Sequence, residues 1–262
     1  MDYLLEKYPN ILTKSQEYNR TYYGLPIEYY KISLDENKNI TNKKSILFNG
    51  AHHAREPVSY TMTLYIMTNL ISEVINNNPL VKEVLRTVDV YFIPVVNKDG
   101  VYLISREYYK KQRGELEYIR KNGRPGKIFE HCYKDASKSI LYEGVDLNRN
   151  YDSHFGENNE GSSDDPCDES YRGEYAFSEP ETFAMKKIVE EINENTGNGL
   201  KIAYNYHAWG NMIIIPPNFL RTDPIEYIEK NFHNEHIIYQ KIINQGNFPS
   251  KFILGNGYKT VK

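Results

Sequence analysis

No apolar run in these 262 residues approaches the about 18–20 that a membrane-spanning helix requires. Positive charge is not concentrated either: 32 Lys and Arg stand against 35 Asp and Glu, and without a dense basic patch a nucleic-acid partner is disfavoured. The amino end carries Asp2, Glu6 and Lys7 and lacks the apolar core of a signal peptide. There is no internal repeat. Cysteine is scarce, with only Cys132 and Cys167. The 24 tyrosines are scattered, as core and surface filler is, and not grouped as a base-stacking platform would be.

What is present is enough apolar content, 40%, for one domain with a sizeable core. Strand and helix signals alternate, which indicates an α/β layer structure. The expected strands are Ile27 to Ser33, Ser45 to Asn49, Val88 to Val95, Leu200 to Tyr206 and Met212 to Ile215. The expected helices are Val58 to Ile75, Leu80 to Leu85, Pro180 to Asn193 and Pro224 to Asn244, with Ser178 and Glu181 forming a capping box. Gly156 to Ser170 is polar and reads as a surface loop.

The chemistry concentrates at His53-Ala54-Arg55-Glu56, which follows the short apolar strand Ile46-Leu47-Phe48 and the Asn49-Gly50 turn signal. Imidazole and carboxylate are both Zn²⁺ ligands, and three protein ligands leave a fourth tetrahedral position open for water, the catalytic arrangement. Pro57 and the amphipathic run after it place this pair at a strand-to-helix junction. His52 competes through its spacing of four to Glu56. That spacing suits a helical face, and these residues precede the helix, so His53 is favoured.

Gly50-Ala51-His52-His53-Ala54-Arg55-Glu56 resembles the metal motif of zinc carboxypeptidases of the carboxypeptidase A type. Gly144-Val145-Asp146-Leu147-Asn148-Arg149-Asn150 resembles the same family's substrate-carboxylate segment, in the family's order. Arg20 to Ile27, Pro94 to Gly100 and Ser178-Glu179-Pro180-Glu181 add smaller matches. The resemblance implies a single-domain α/β fold, a mixed twisted sheet with helices on both faces. It also implies one Zn²⁺ held by His53, Glu56 and a third ligand after a later strand, which His207 in His207-Ala208-Trp209 supplies.

Other roles follow from the same resemblance. Asp146 would orient His53 from behind, as a carboxylate does when it accepts the second N–H of a ligating imidazole. Arg149 would clamp the substrate's free carboxylate, Asn148 would orient it, and Arg55 would line the outer subsites. Planar guanidinium suits the clamp because it donates two parallel hydrogen bonds. Arg120 in Tyr118-Ile119-Arg120-Lys121-Asn122 would polarise the scissile carbonyl and stabilise its oxyanion, with Arg113 and Arg124 as nearby alternatives. Cys132 and Cys167 bracket the second motif as a family disulfide does, with two buried free thiols as the alternative. A disulfide, like the family, favours a secreted or vesicular location. The sequons at Asn19 and Asn39 are compatible with it.

The chain departs from the family after His207. The catalytic glutamate is expected on a strand well beyond the third ligand, whereas Glu226, Glu229 and Glu235 read as the solvated face of a helix. The sequence therefore reads as a fragment or incomplete gene model. It lacks the start of the first helix and the carboxy-terminal segment with the base, and a naturally short form is the rival. Three functions follow: a zinc metallocarboxypeptidase acting on peptide or protein C-termini, a related zinc acyl hydrolase, or a zinc- or peptide-binding protein without turnover. Oligomeric state is not legible.

Overall fold

The computed structural model describes residues 1–34, 42–109, 119–132, 143–208, 210, 212–214, 230 and 253–255. The chain divides into two compact units, Met1–Ala208 and Trp209–Lys262. In the first unit, strands β1 (Leu12–Lys14), β4 (Tyr30–Ile32), β5 (Lys44–Gly50), β6 (Val88–Ile93) and β7 (Leu200–Tyr206) form one sheet in the order β1-β4-β6-β5-β7. β5 runs parallel to both β6 and β7, whereas β1, β4 and β6 pair antiparallel, so the sheet is mixed. β2 (Asn19–Arg20) and β3 (Pro26–Ile27) make a small separate hairpin.

Side-chain alternation along β6 splits the core between the two faces. Val90 and Phe92 pack with Met67, Ile71 and Val74 of α2 (Pro57–Ile75) and Leu85 of α3 (Pro79–Thr87). Tyr91 and Ile93 pack on the opposite side with Met185, Ile188 and Ile192 of α5 (Pro180–Asn195). Helices therefore cover both faces, as expected. Burying a ring such as Phe92 completely contributes about 1.5–3 kcal/mol.

Prolines open all three of these helices at the first position, where a missing N–H costs nothing. Asn78 caps α3 by accepting from the N–H groups of Leu80 and Val81. The expected capping box at α5 does not form. Glu179 occupies the cap position without a side-chain cap bond. Ser178 Oγ is drawn to Asn150 and Glu179, and Glu181 turns into the protein interior.

The expected strand Ile27 to Ser33 is split between β3 and β4, and β6 ends at Ile93, before Val95. The sequence reading also missed helix α4 (Lys98–Tyr109). Its Asp99-Gly100 pair resembles a turn, yet Gly100 serves a close approach: a Cβ there would lie 2.6 Å from that of Ala54. α1 (Asp2–Lys7) precedes β1. In the second unit, β8 (Met212–Ile214) pairs parallel with β9 (Ile253–Gly255). The expected helix Pro224 to Asn244 lies outside the described residues, apart from Lys230, as do Arg113 and Trp209.

Candidate metal centre

Register brings the two halves of the site together. Gly50, the last residue of β5, pairs with Tyr206, the last residue of β7, so the segments leaving both strands emerge side by side at their carboxyl ends. A Cβ on Gly50 would meet the Ser59 carbonyl oxygen at 2.7 Å, so glycine lets the strand cross close to the start of α2. Ala51 then takes a left-handed conformation, φ 53°, and its N–H donates to Ser59 Oγ at 2.9 Å. Buried Asn97 stitches the neighbouring loops, its Nδ2 donating to the carbonyls of His52, Arg120 and Lys121 at 3.0–3.3 Å.

His53, Glu56 and His207 converge at this corner. His53 Nδ1 lies 2.7 Å from Glu56 Oε1, while His207 Nδ1 lies 2.9 Å from Glu56 Oε2 and 3.2 Å from His53 Nδ1. Two atoms bound about 2.0–2.1 Å from a tetrahedral zinc would sit ~3.3 Å apart, so the spacing of the two nitrogens fits the ion. The His207 side chain is 30% exposed and that of His53 4%, which puts the open side of the cluster at His207. The Ala208 N–H donates to Glu56 Oε2 and fixes the chain after β7.

Asp146 lies behind His53, fully buried. Its Oδ1 sits 3.1 Å from His53 Nε2 and accepts the Asn148 N–H at 3.0 Å; its Oδ2 receives Arg120 Nε at 2.9 Å and pairs with Nη2 at 2.8 Å. Burial alone would raise its pKa, but the bond to His53 and the charges of Arg149, His53 and Arg120 outweigh it, holding the carboxyl well below its usual range. Burial opposes ionisation of Glu56 as well, and the two histidines reverse the sign. His53 is the converse: burial disfavours its cation, but Asp146 and Glu56 pull its pKa upward.

The His52 ring stacks with that of His207, centroids 5.9 Å apart, but its Nε2 is taken by Tyr151. It is buried against Tyr151, with Nε2 2.7 Å from the hydroxyl, and burial pushes its pKa down to about 3, which keeps it neutral. The structure thus places His53, not His52, with Glu56 and His207.

Asn148 and Arg149 sit on the short 3-10 turn Leu147–Arg149, capped by Asp146. Arg149 Nε donates to the Gly161 carbonyl at 2.5 Å and Nη1 to that of Asn148 at 3.2 Å. Arg120 joins the centre through Asp146, a partner the sequence reading did not give it. Arg55 turns outward and forms a two-pronged pair with Glu169 at 3.0–3.1 Å. Cys132 and Cys167 form a disulfide. Sequence reasoning gave Asn97 no role of its own; its place in the Pro94 to Gly100 match, between a strand and Asp99-Gly100, was the signal.

A family profile described as zinc carboxypeptidase matches residues 1–247. The chain belongs to the zinc carboxypeptidase family. It is 32% identical over 218 residues to carboxypeptidase B of Helicoverpa zea, covering 82% of this chain and 44% of that protein. Bovine (Bos taurus) carboxypeptidase A1 is 27% identical over 216 residues, with the same coverage of 82% and 44%. Among solved structures, carboxypeptidase A from Helicoverpa armigera superposes with a TM-score of 0.70 at 25% identity, covering 98% of this chain and 55% of that one. The chain spans about half the length of the relatives it matches.

Proposed function

We propose that residues 1–262 belong to one zinc carboxypeptidase catalytic domain and act as a zinc-dependent metallocarboxypeptidase, removing single residues from the C-termini of peptides or proteins. The observation that supports it best is the convergence of His53 Nδ1, His207 Nδ1 and the Glu56 carboxylate, all ligand atoms within 4.8 Å of one another, at the carboxyl ends of two parallel strands. A bound zinc there would lower the pKa of its water to about 7 and polarise a carbonyl.

The chain's own residues supply the rest. Asp146 holds His53 Nε2 protonated and so presents Nδ1 as the donor atom. Arg149 and Asn148 give the substrate's terminal carboxylate a charged, hydrogen-bonding end point, which selects exopeptidase over endopeptidase cleavage. Arg120 locks the position of Asp146 through two nitrogens, and its positive charge would stabilise an oxyanion formed at the centre. The Cys132–Cys167 disulfide supports an oxidising compartment, secreted or vesicular. No helix among the described residues is long and apolar enough to cross a membrane.

One observation favours a second reading, zinc or peptide binding without turnover. Among the described residues, the carboxylates bonded to the ligand set are Glu56, itself a ligand, and Asp146, whose two oxygens already serve four donors. Neither is placed to take a proton from water. The experiment combines zinc analysis with peptide assay: one zinc per chain should be lost in His53→Ala and in His207→Ala, and a free C-terminal residue should be released while the amidated peptide is spared. Zinc retained by both variants would remove the site, and zinc binding without release would select the second reading.

A further inference from the structure

A second group of metal-ligating side chains lies outside the centre described above. His131, Cys132 and Cys167 bring one nitrogen and two sulfurs within 4.8 Å of one another, with His131 Nε2 3.2 Å from Cys167 Sγ. In the oxidised chain the sulfurs are bonded to each other, so the group holds no thiolate and no metal. We propose that reduction of this disulfide converts it into a zinc site of two thiolates, one imidazole and one water.

The sulfurs would stay together after the bond opens, because other contacts hold both segments. Cys132 packs with Phe129, Val145 and Tyr171, two of whose rings, Phe129 and Tyr171, meet edge to face. On the other side, Lys121 Nζ donates to the Pro166 carbonyl at 2.8 Å, and the Cys167 N–H donates to Asp165 Oδ1 at 2.9 Å. The Arg172 N–H closes the loop on the Ser163 carbonyl at 3.0 Å. None of these bonds involves a sulfur. The two cysteine Cα atoms are 5.0 Å apart, close enough for both side chains to place sulfurs about 2.3 Å from one zinc after small rotations. His131 is exposed and both cysteines are half-buried, so a small reductant and an ion can reach the group.

The chemistry balances with a dithiol as reductant. One dithiol thiolate attacks a sulfur of the Cys132–Cys167 bond, its second thiol closes a cyclic disulfide, and the two electrons and two protons leave both cysteines as thiols. Zinc then displaces both thiol protons, and thiolate, imidazole and water complete a tetrahedral set. The device links the thiol state of the surroundings to metal uptake on the loop that carries Glu169, the partner of Arg55.

Cobalt(II) is the probe, added without air to the full chain reduced with a trialkylphosphine, which binds the ion poorly. Sulfur-to-cobalt charge-transfer absorption in the near ultraviolet should appear in the reduced chain and be absent from the oxidised chain. The His53, Glu56 and His207 group has no sulfur and cannot produce it. His131→Ala, prepared in its oxidised form and reduced afterwards, should bind cobalt at this site more than about tenfold more weakly, at least the loss seen when a supporting partner is removed. Cys167→Ser should abolish the band. The proposal is overturned by a reduced chain without the band, by a band that persists in Cys167→Ser or is unweakened in His131→Ala, or by a fold lost on reduction that metal does not restore.

Discussion

Replacing Glu181 with Gln should raise the stability of the folded chain at neutral pH and flatten its pH dependence. Glu181 lies in the first turn of α5 and is fully buried. Its Oε1 has no side-chain partner among the described residues, Oε2 receives Asn122 Nδ2 at 3.1 Å, and the residue's own backbone N–H adds a weak opposing bond. The nearby cation, Arg124, bonds Glu179 at 2.8 Å and Glu174 at 2.7 Å instead. Burial therefore dominates and pushes the Glu181 pKa from 4.5 up to about 8. The folded chain keeps this proton where the unfolded chain has released it. Stability from this group is fully present below about pH 4.5 and is lost as pH rises to about 8. The slope is at most about 1.4 kcal/mol per pH unit, so on the order of 2–3 kcal/mol is lost between about pH 5 and pH 7. Gln has the shape of the protonated acid, still accepts from Asn122, and has no proton to release. Urea unfolding of both proteins across this range, with the disulfide intact and metal content fixed, should show the variant's advantage widening with pH. Parallel stability curves would refute the argument, since they would mean that Glu181 binds its proton equally in both states.

Three other outcomes follow from the site. Arg149→Ala should weaken peptides with a free C-terminus by about 10–100-fold, the cost of a charged hydrogen bond, and leave amidated peptides nearly unchanged; titration with both forms tests this, and equal losses would make Arg149 structural. Asp146→Asn should lower zinc affinity about 10–100-fold in a competition titration while leaving the three ligands in place, and an unchanged affinity would dismiss its hold on His53. Gly144→Ala should destabilise by about 2–4 kcal/mol in chemical denaturation, because φ is 97° there and a Cβ would lie 2.2 Å from the Asn122 carbonyl oxygen; a neutral result would mean the loop relaxes freely.

The parts of this molecule legible in the sequence are those fixed by local pattern. The apolar strand before Gly50, Pro57 opening α2 and the ligand spacing of three are contiguous signals, and the structure places them at one strand-to-helix junction. α4 was not legible because its first turn carries Asp99-Gly100, and glycine disfavours a helix unless a contact demands it. That contact, with Ala54 of the loop between His53 and Glu56, is remote in sequence. Arg120 shows the same limit. Its neighbours mark it as one of several basic residues in a polar stretch, and only the fold reveals that its guanidinium is directed at Asp146.

That placement changes what Arg120 must do. A guanidinium bonded through two nitrogens to a buried carboxylate is costly to withdraw, since the carboxylate would be left with only His53 and one backbone N–H. Any service to a substrate oxygen must therefore come from the remaining face of the group with Asp146 still attached, so orienting the histidine and stabilising charge become one rigid arrangement. The sequence motifs name its members separately. Their coupling arises from Asp146, which caps the turn bearing Asn148 and Arg149, faces His53 Nε2 and holds Arg120. A single carboxylate thus fixes the relative positions of His53, the turn bearing Asn148 and Arg149, and Arg120, the residues proposed as metal ligand, carboxylate clamp and cation. This is why disturbing Asp146 should affect metal affinity and substrate recognition together, whereas Arg149→Ala should affect recognition alone.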